Sequence, residues 1–333
     1  MQLTTEQHQC FAANCDAHEA FVLTTHMNPD GDALGSQIAL ARYLVSLGKT
    51  VRLINGDPTP ETLAFVTEDS PPIEVYDAGQ HDDVIRGIDR VVLLDNSAPD
   101  RLGRMEPIML SVAANVLCID HHPTRGAPWV DNILRVGASA TAVLVWDLLR
   151  HRGWEPDAPA RNAIFVGLAT DTGFFRFNSA SAHAHRVAAD LIECGVDAGA
   201  IYRRIYERNS EAYTRLLGHA LVGLRIEGGG RIASVQLRRD TIAELAAEDV
   251  DTGEITTALL AIDGVDLVLL FRELPDARVK VSLRSKDELD VHQLALGFGG
   301  GGHRNAAGIV LEQPFDVVVE RVSVGARELL ASP

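Results

Sequence analysis

Three short apolar runs in this chain each end in His or Asp residues. Phe21-Val22-Leu23-Thr24-Thr25 leads into His26-Met27-Asn28-Pro29-Asp30-Gly31-Asp32. Val91-Val92-Leu93-Leu94 leads into Asp95, and Val116-Leu117-Cys118-Ile119 leads into Asp120-His121-His122. Short apolar runs rich in branched side chains read as buried strands. Between them lie helical patterns: Leu34, Ile38, Ala41 and Val45 fall near helical spacing over residues 32–47, closed by Gly48. Strands alternating with helices imply βαβ units and a mostly parallel sheet. Such sheets place their ligands beyond the carboxyl ends of the strands, so clusters far apart in sequence would meet at one sheet edge. With Asp171, in Thr170-Asp171-Thr172-Gly173, the set His26, Asp30, Asp32, Asp95, His121 and Asp171 reads as the ligands of a pair of divalent cations.

Each residue alone has a plainer reading. Asp32 is equally readable as a helix N-cap, one of the commonest uses of Asp. Asp95 is either a loop carboxylate or a carboxylate whose two oxygens serve two ions; buried unpaired it would be costly. Adjacent residues at a strand end point to opposite faces, so one of His121 and His122 would ligate and the other would face substrate or a supporting group. Asp120 fits the carboxylate that orients a ligating imidazole. Asp171 follows an apolar helix, where a lone carboxylate could be a simple loop residue. Arg176, set among aromatics, is either a surface residue or a phosphate contact.

Further along, residues 50–54 and 90–94 read as strands, with residues 115–119 a further one, and residues 138–151, 158–169 and 180–194 as helices. Residues 197–223 look like one or two helices rich in Arg and Tyr. Gly228-Gly229-Gly230 reads as a turn joining strands at 221–226 and 232–237. Two β-rich runs at 265–271 and 278–283 precede a helix at 291–296. The expected domains are residues 1–195, a helical connector at 196–215, and residues 216–333. The loudest feature of the second domain is Gly297-Phe298-Gly299-Gly300-Gly301-Gly302-His303, with Ala306-Ala307-Gly308 after it suggesting a helix start. It lacks the Gly-Lys-Ser/Thr of a Walker loop and the strand–turn–helix context of a nicotinamide fingerprint. Glycines allow backbone N–H groups close to an anion, although a hinge loop is the simpler account. Arg284 and Lys286 are candidate phosphate partners. Residues 272–304 hold six Lys/Arg and five Asp/Glu, counting Asp287 and Glu288, a balance suited to gripping one or two phosphates.

Composition narrows the function classes. The 333 residues are enough for two domains. The net charge of −16 argues against a protein that coats long nucleic acid, which shows a basic footprint. Four of the candidate ligands are carboxylates, and two divalent cations would bring −16 to −12, leaving a site able to take an anion. Residues 1–20 do not read as a signal peptide, and no apolar run approaches the roughly 18 residues of a membrane span. The four cysteines form no CxxC pair, which favours the reducing cytoplasm.

Taken together, the motifs resemble those of the DHH phosphoesterase superfamily. Residues 26–36 resemble its first motif, Asp95-Asn96-Ser97 its second, Asp120-His121-His122 its third and Asp171 its fourth. Residues 299–308 resemble the glycine motif of the DHH-associated C-terminal domain. The resemblance spans nearly the whole chain and sits nearest the stand-alone branch of oligoribonucleases (nanoRNases) that are also phosphatases of 3′-phosphoadenosine 5′-phosphate (pAp).

The resemblance implies an α/β fold: an N-terminal mostly parallel sheet flanked by helices, and a smaller C-terminal α/β domain with a mixed sheet, the active site lying in the cleft between them. It implies two Mn²⁺ ions, with Mg²⁺ or Co²⁺ as substitutes. One ion would take His26, Asp30 and Asp95; the other would take Asp32, Asp95, His121 and Asp171. His122 would contact the scissile phosphate with Asp120 in support. Arg284, Gly300, Gly301, Gly302 and His303 would hold the far end of the substrate. The expected substrates are short oligonucleotides, dinucleotides such as pApA, and pAp. Hydrolysis of cyclic di-AMP is the alternative. A pyrophosphatase, a processive single-strand exonuclease and a nucleotide-binding regulatory module rank lower, the last because no ligand is missing. The helical stretch 158–208 could supply a homodimer face.

Overall fold

The computed structural model describes residues 3–124, 126–286 and 289–331. Asp287 and Glu288, counted in the charge window above, lie outside the described residues. The chain divides into two compact units, residues 1–208 and 209–333, and the division falls inside the stretch expected to connect them.

The first unit runs α1 (Thr5–Ala17), β1 (Ala20–Thr24), α2 (Gly31–Ser46), β2 (Thr50–Asn55), β3 (Ile73–Val75), α3 (Ala78–Gly87), β4 (Arg90–Leu94), α4 (Glu106–Ser111), β5 (Val116–Asp120), β6 (Asp131–Leu134), α5 (Thr141–His151), α6 (Ala158–Asp171), α7 (Ala182–Glu193) and α8 (Ala198–Tyr206). Its strands form one sheet in the order β3-β2-β1-β4-β5-β6. Every pairing in it is parallel. Strands β4 and β5 are buried along their whole length, because helices cover both faces of a parallel sheet. The strand order reverses between β1 and β4, and a doubly wound sheet opens its ligand crevice at that switch point. His26 follows β1, and Asp95 follows β4 directly.

Three helices close over that edge. Gly35 of α2 lies so near α6 that an added Cβ would stand 2.3 Å from the Ala163 carbonyl oxygen. A Cβ on Gly167 of α6 would stand 2.6 Å from the Cβ of Ala142 on α5 and 2.9 Å from an Asp32 oxygen. Glycine therefore sets the helix spacing, and that spacing brings the end of α6, Asp171, to the start of α2.

The second unit runs α9 (Glu211–Val222), β7 (Arg225–Glu227), β8 (Ile232–Leu237), α10 (Arg239–Glu244), α11 (Gly253–Leu260), β9 (Leu267–Glu273), β10 (Val279–Ser285), α12 (Val291–Gly297), β11 (Gly301–His303), β12 (Ala306–Leu311) and α13 (Phe315–Ala331). Its sheet has the order β11-β12-β10-β9-β8-β7 and is mixed: β8 and β9 are parallel, the other pairs antiparallel. Three expectations are corrected here. Ala306-Ala307-Gly308 opens strand β12 and not a helix. Pairing with β10 and β11 outweighs the strong helical preference of alanine. Leu221 and Val222 end helix α9, so the first strand of the hairpin begins only at Arg225. In the first unit, the helix expected from residue 138 begins at Thr141.

Candidate metal centre

His26 is buried, and its Nδ1 lies 2.8 Å from the Met27 carbonyl. A carbonyl only accepts, so Nδ1 carries the proton and Nε2 keeps its lone pair. His121 repeats the arrangement, with Nδ1 3.0 Å from the Ala138 carbonyl. Both Nε2 atoms point into a nest of carboxylates and have no hydrogen-bond partner among the described residues.

The four carboxylates come from α2, α6 and the end of β4. Asp30 is the N-cap of α2. Its Oδ1 accepts the N–H groups of Asp32 and Ala33, each at 3.0 Å, while its Oδ2 stands 3.8 Å from His26 Nε2. The N-cap reading of Asp32 is thereby overturned: Asp30 caps α2. Asp32 reaches instead to the start of α5, accepting from the N–H of Thr141 at 2.6 Å and of Ala142 at 2.8 Å. Its Oδ2 lies 3.7 Å from His121 Nε2. Asp171, the last residue of α6, places Oδ2 3.4 Å from the same nitrogen.

Asp95 stands at the centre. Its φ of 60° turns the chain sharply after β4, and its carboxylate is 1 % exposed. Oδ2 faces His26 Nε2 at 3.4 Å, and Oδ1 faces His121 Nε2 at 3.6 Å. Three overlapping donor groups result, His26–Asp30–Asp95, Asp32–His121–Asp171 and Asp95–His121–His122, each with ligand atoms within 4.8 Å of one another. All six candidate residues are thus brought together around one sheet edge.

The donor set itself tests whether cations fit. Lone pairs of neutral imidazoles face carboxylate oxygens, which are acceptors only, so a proton or a metal ion must lie between them. Asp95 Oδ2, like the two Nε2 atoms, is buried without a partner among the described residues. Two His nitrogens and four carboxylates at two adjoining sites suit a pair of divalent cations.

Without cations the site is electrostatically strained. Burial drives the Asp32 carboxyl well above its ordinary range, with the charges of Asp95 and Asp171 adding to it. Burial also pushes Asp171 up to about 6. Burial acts to lower His26, but the neighbouring Asp95 carboxylate, the Met27 carbonyl and the charge of Asp30 outweigh it and raise it overall.

His122 is built differently. Its Nδ1 lies 2.9 Å from Asp120 Oδ1, and this bond raises its pKa. Burial acts to raise Asp120, but the hydrogen bonds from His122 and Ser97 keep it below the usual range. Asp120 therefore orients His122 and not His121, whose partner is the Ala138 carbonyl.

A sequence relative decides the family. Over 312 residues the chain is 33% identical to the bifunctional oligoribonuclease and PAP phosphatase NrnA of Thermus thermophilus, covering 92% of this chain and 89% of that protein. The chain belongs to the DHH family. Residues 20–169 of this DHH protein match the DHH family, N-terminal domain, and residues 222–323 match the DHHA1 domain. The Bacillus subtilis protein of the same name is 25% identical over 297 residues, covering 87% of the DHH protein described here and 89% of its own length. A crystal structure of an exopolyphosphatase-related protein from Bacteroides fragilis superposes with a TM-score of 0.83 at 27% identity, covering 99% of both chains. This DHH protein is accordingly a metal-dependent phosphoesterase with the expected α/β pair of domains.

The remaining candidates lie in the second unit of this DHH protein. Arg284 on β10, Ala306 on β12 and His303 on β11 are in register. Cross-strand neighbours share a sheet face, so Arg284 and His303 flank the small Ala306 on one side. His303 is exposed. The glycine run is not a hinge: a Cβ on Gly300 would stand 2.2 Å from the Gly308 carbonyl oxygen, and Gly302 has φ 141°. Close pairing of β11 with β12 requires them. Gly301, in contrast, has open space beside it.

One contributor had no sequence signal. Thr141, the first residue of α5, donates its hydroxyl to Asp95 Oδ1 at 2.9 Å. It lies in an unremarkable Ala-Ser-Ala-Thr-Ala stretch, and only the packing of α5 against α2 and β5 reveals it.

Proposed function

We propose that the protein hydrolyses short oligonucleotides to mononucleotides and pAp to AMP and phosphate, using two Mn²⁺ ions, in the cytoplasm. The observation that carries the reading is Asp95, whose two oxygens face two different, partnerless His Nε2 atoms. Mixed nitrogen and oxygen donors suit Mn²⁺, with Mg²⁺ or Co²⁺ as substitutes. A bound pair of such ions supplies Lewis acidity, lowering the pKa of water and neutralising phosphoryl charge.

The chain's own residues supply the rest. His26, Asp30 and Asp95 hold one ion; Asp32, Asp95, His121 and Asp171 hold the other. His122, oriented by Asp120, whose hydrogen bond also raises its pKa, contacts an oxygen of the scissile phosphate. Arg284 and His303, with the backbone at Gly300, Gly301 and Gly302, hold the phosphate or sugar at the substrate's other end. The names of the Thermus and Bacillus relatives support this substrate class. We assign no long nucleic acid as substrate. Among the described residues no helix is long and apolar enough to cross a membrane. A homodimer built on residues 158–208 belongs to the same proposal.

The test offers the purified protein, with Mn²⁺, a panel of pAp, pApA, cyclic di-AMP, a five-nucleotide RNA, a long single strand and pyrophosphate. Turnover of pAp and the short RNA is expected. Preference for the long strand, or for pyrophosphate alone, would refute the reading. The double variant Asp120→Ala/His121→Ala should remain folded by circular dichroism and lose turnover.

A further inference from the structure

Helix α5 begins without a cap of its own. Its N-cap residue, Ala140, offers no side-chain acceptor. The helix's first turn is tied instead to two carboxylates of the metal centre. The N–H groups of Thr141 and Ala142 go to Asp32, and the Thr141 hydroxyl goes to Asp95 Oδ1. Thr141 and Ala142 are fully buried, and Asp32 and Asp95 nearly so.

A carboxylate turns about its last torsion with little intrinsic preference. For Asp95 that torsion decides whether its two oxygens face His26 Nε2 and His121 Nε2, as they do here at 3.4 and 3.6 Å. The backbone of Asp95 is fixed by its N–H bond to the Ile119 carbonyl at 2.9 Å. That bond leaves the carboxylate plane free. Oδ2 has no partner among the described residues, and the hydrogen bond to Oδ1 comes from Thr141.

We infer that Thr141 is a positioning residue: its hydroxyl sets the plane of the Asp95 carboxylate so that the two cations bind as a bridged pair. The inference rests on the two-cation reading above. A second consequence follows from α5 as a whole. The same first turn holds Asp32 by two N–H groups, so one rigid helix end aligns a ligand of each cation before either arrives. Neither Thr141 nor Ala142 needs to touch a metal or the substrate for this.

The experiment compares the wild-type protein with Thr141→Val and Thr141→Ser. Valine keeps the shape and removes the hydroxyl; serine keeps the hydroxyl. Mn²⁺ is titrated calorimetrically, and low-temperature electron paramagnetic resonance reports whether two bound ions are exchange-coupled through a bridge. Partners that orient metal ligands typically contribute about 10–100-fold to affinity. The valine variant should therefore bind its second Mn²⁺ at least about tenfold more weakly, with the coupled signal replaced by that of isolated ions. The serine variant should restore both. Melting of the metal-free proteins shows that each is folded; should the valine protein not fold, Thr141→Ala is read in its place. A valine or alanine variant that couples two ions like the wild type overturns the positioning role alone, as does a serine variant that fails to restore them. A wild-type protein that binds fewer than two Mn²⁺ overturns the two-cation reading as well, so the two failures are told apart.

Discussion

Substituting Gly35 by alanine should damage both the packing and the metal centre, and its size can be worked from the contact it makes. The new Cβ would lie 2.3 Å from the Ala163 carbonyl oxygen and 3.1 Å from the Gly167 nitrogen. The first of these is roughly 1 Å inside van der Waals contact, and both neighbours are backbone, so no side chain can swing away. Helices α2 and α6 must separate. Overpacking of this kind costs about 1–3 kcal/mol, while alanine regains roughly 0.5–1 kcal/mol of helix propensity. A net loss of about 1 kcal/mol should lower the melting temperature of a unit this size by about 2–4 °C. The same separation moves Asp171, on α6, away from Asp30 and Asp32, on α2. Metal sites tolerate donor shifts of only about 0.2 Å, so Mn²⁺ affinity should fall as well. Scanning calorimetry of the metal-free protein measures the first effect, and a Mn²⁺ titration the second. Gly87→Ala is the control, because a Cβ there meets nothing within 4 Å. It should melt at or slightly above the wild-type temperature. If Gly35→Ala melts no lower than Gly87→Ala, the reasoning that glycine sets the α2–α6 spacing is wrong.

Metal affinity should depend on pH through Asp171. Its folded pKa, pushed up to about 6, exceeds the unfolded value near 3.8, so the metal-free fold holds the proton more tightly than the unfolded chain. Stability of the metal-free protein should accordingly fall as pH rises from about 4 to 6. Cations require the carboxylate, so Mn²⁺ binding should weaken about tenfold between pH 7 and pH 5. Equal affinities at the two pH values would remove Asp171 from the ligand set. Asp95→Asn should abolish the thermal stabilisation that Mn²⁺ confers, worth about 2.7 kcal/mol at a hundredfold excess over Kd, without lowering the metal-free melting temperature. A metal-induced rise equal to wild type would contradict the bridging role. His303→Ala should raise KM for pAp with kcat little changed; a loss confined to kcat would place His303 in the chemistry and not in substrate grip.

Much of the centre was legible in the chain because its signals are local. An apolar run followed by His or Asp marks a strand end carrying a donor, and three such ends in a βαβ pattern imply one crevice. What stayed illegible depended on neighbours distant in sequence. Asp30 and Asp32 lie two residues apart, and either could cap α2 on local grounds. The choice fell to Asp30 because α5 packs its free N–H groups against Asp32. Asp120 seemed suited to the ligating imidazole, yet it holds His122, since His121 already finds the Ala138 carbonyl. The Ala306-Ala307-Gly308 stretch has no strand signature of its own and becomes one by pairing on both sides.

From the amino-acid sequence alone came the candidate donors, written in side-chain type and short-range periodicity, while the class of chemistry and the pair of α/β units came from the resemblance its motifs carry. Tertiary structure decided the arrangement. It set the strand order that puts β1 beside β4, the glycine-limited approach of α6 to α2, and the capture of Asp32 and Asp95 by the start of α5. Those are contacts between segments up to about 140 residues apart. No local pattern encodes them, because they follow from which surfaces can bury one another once the helices and strands exist.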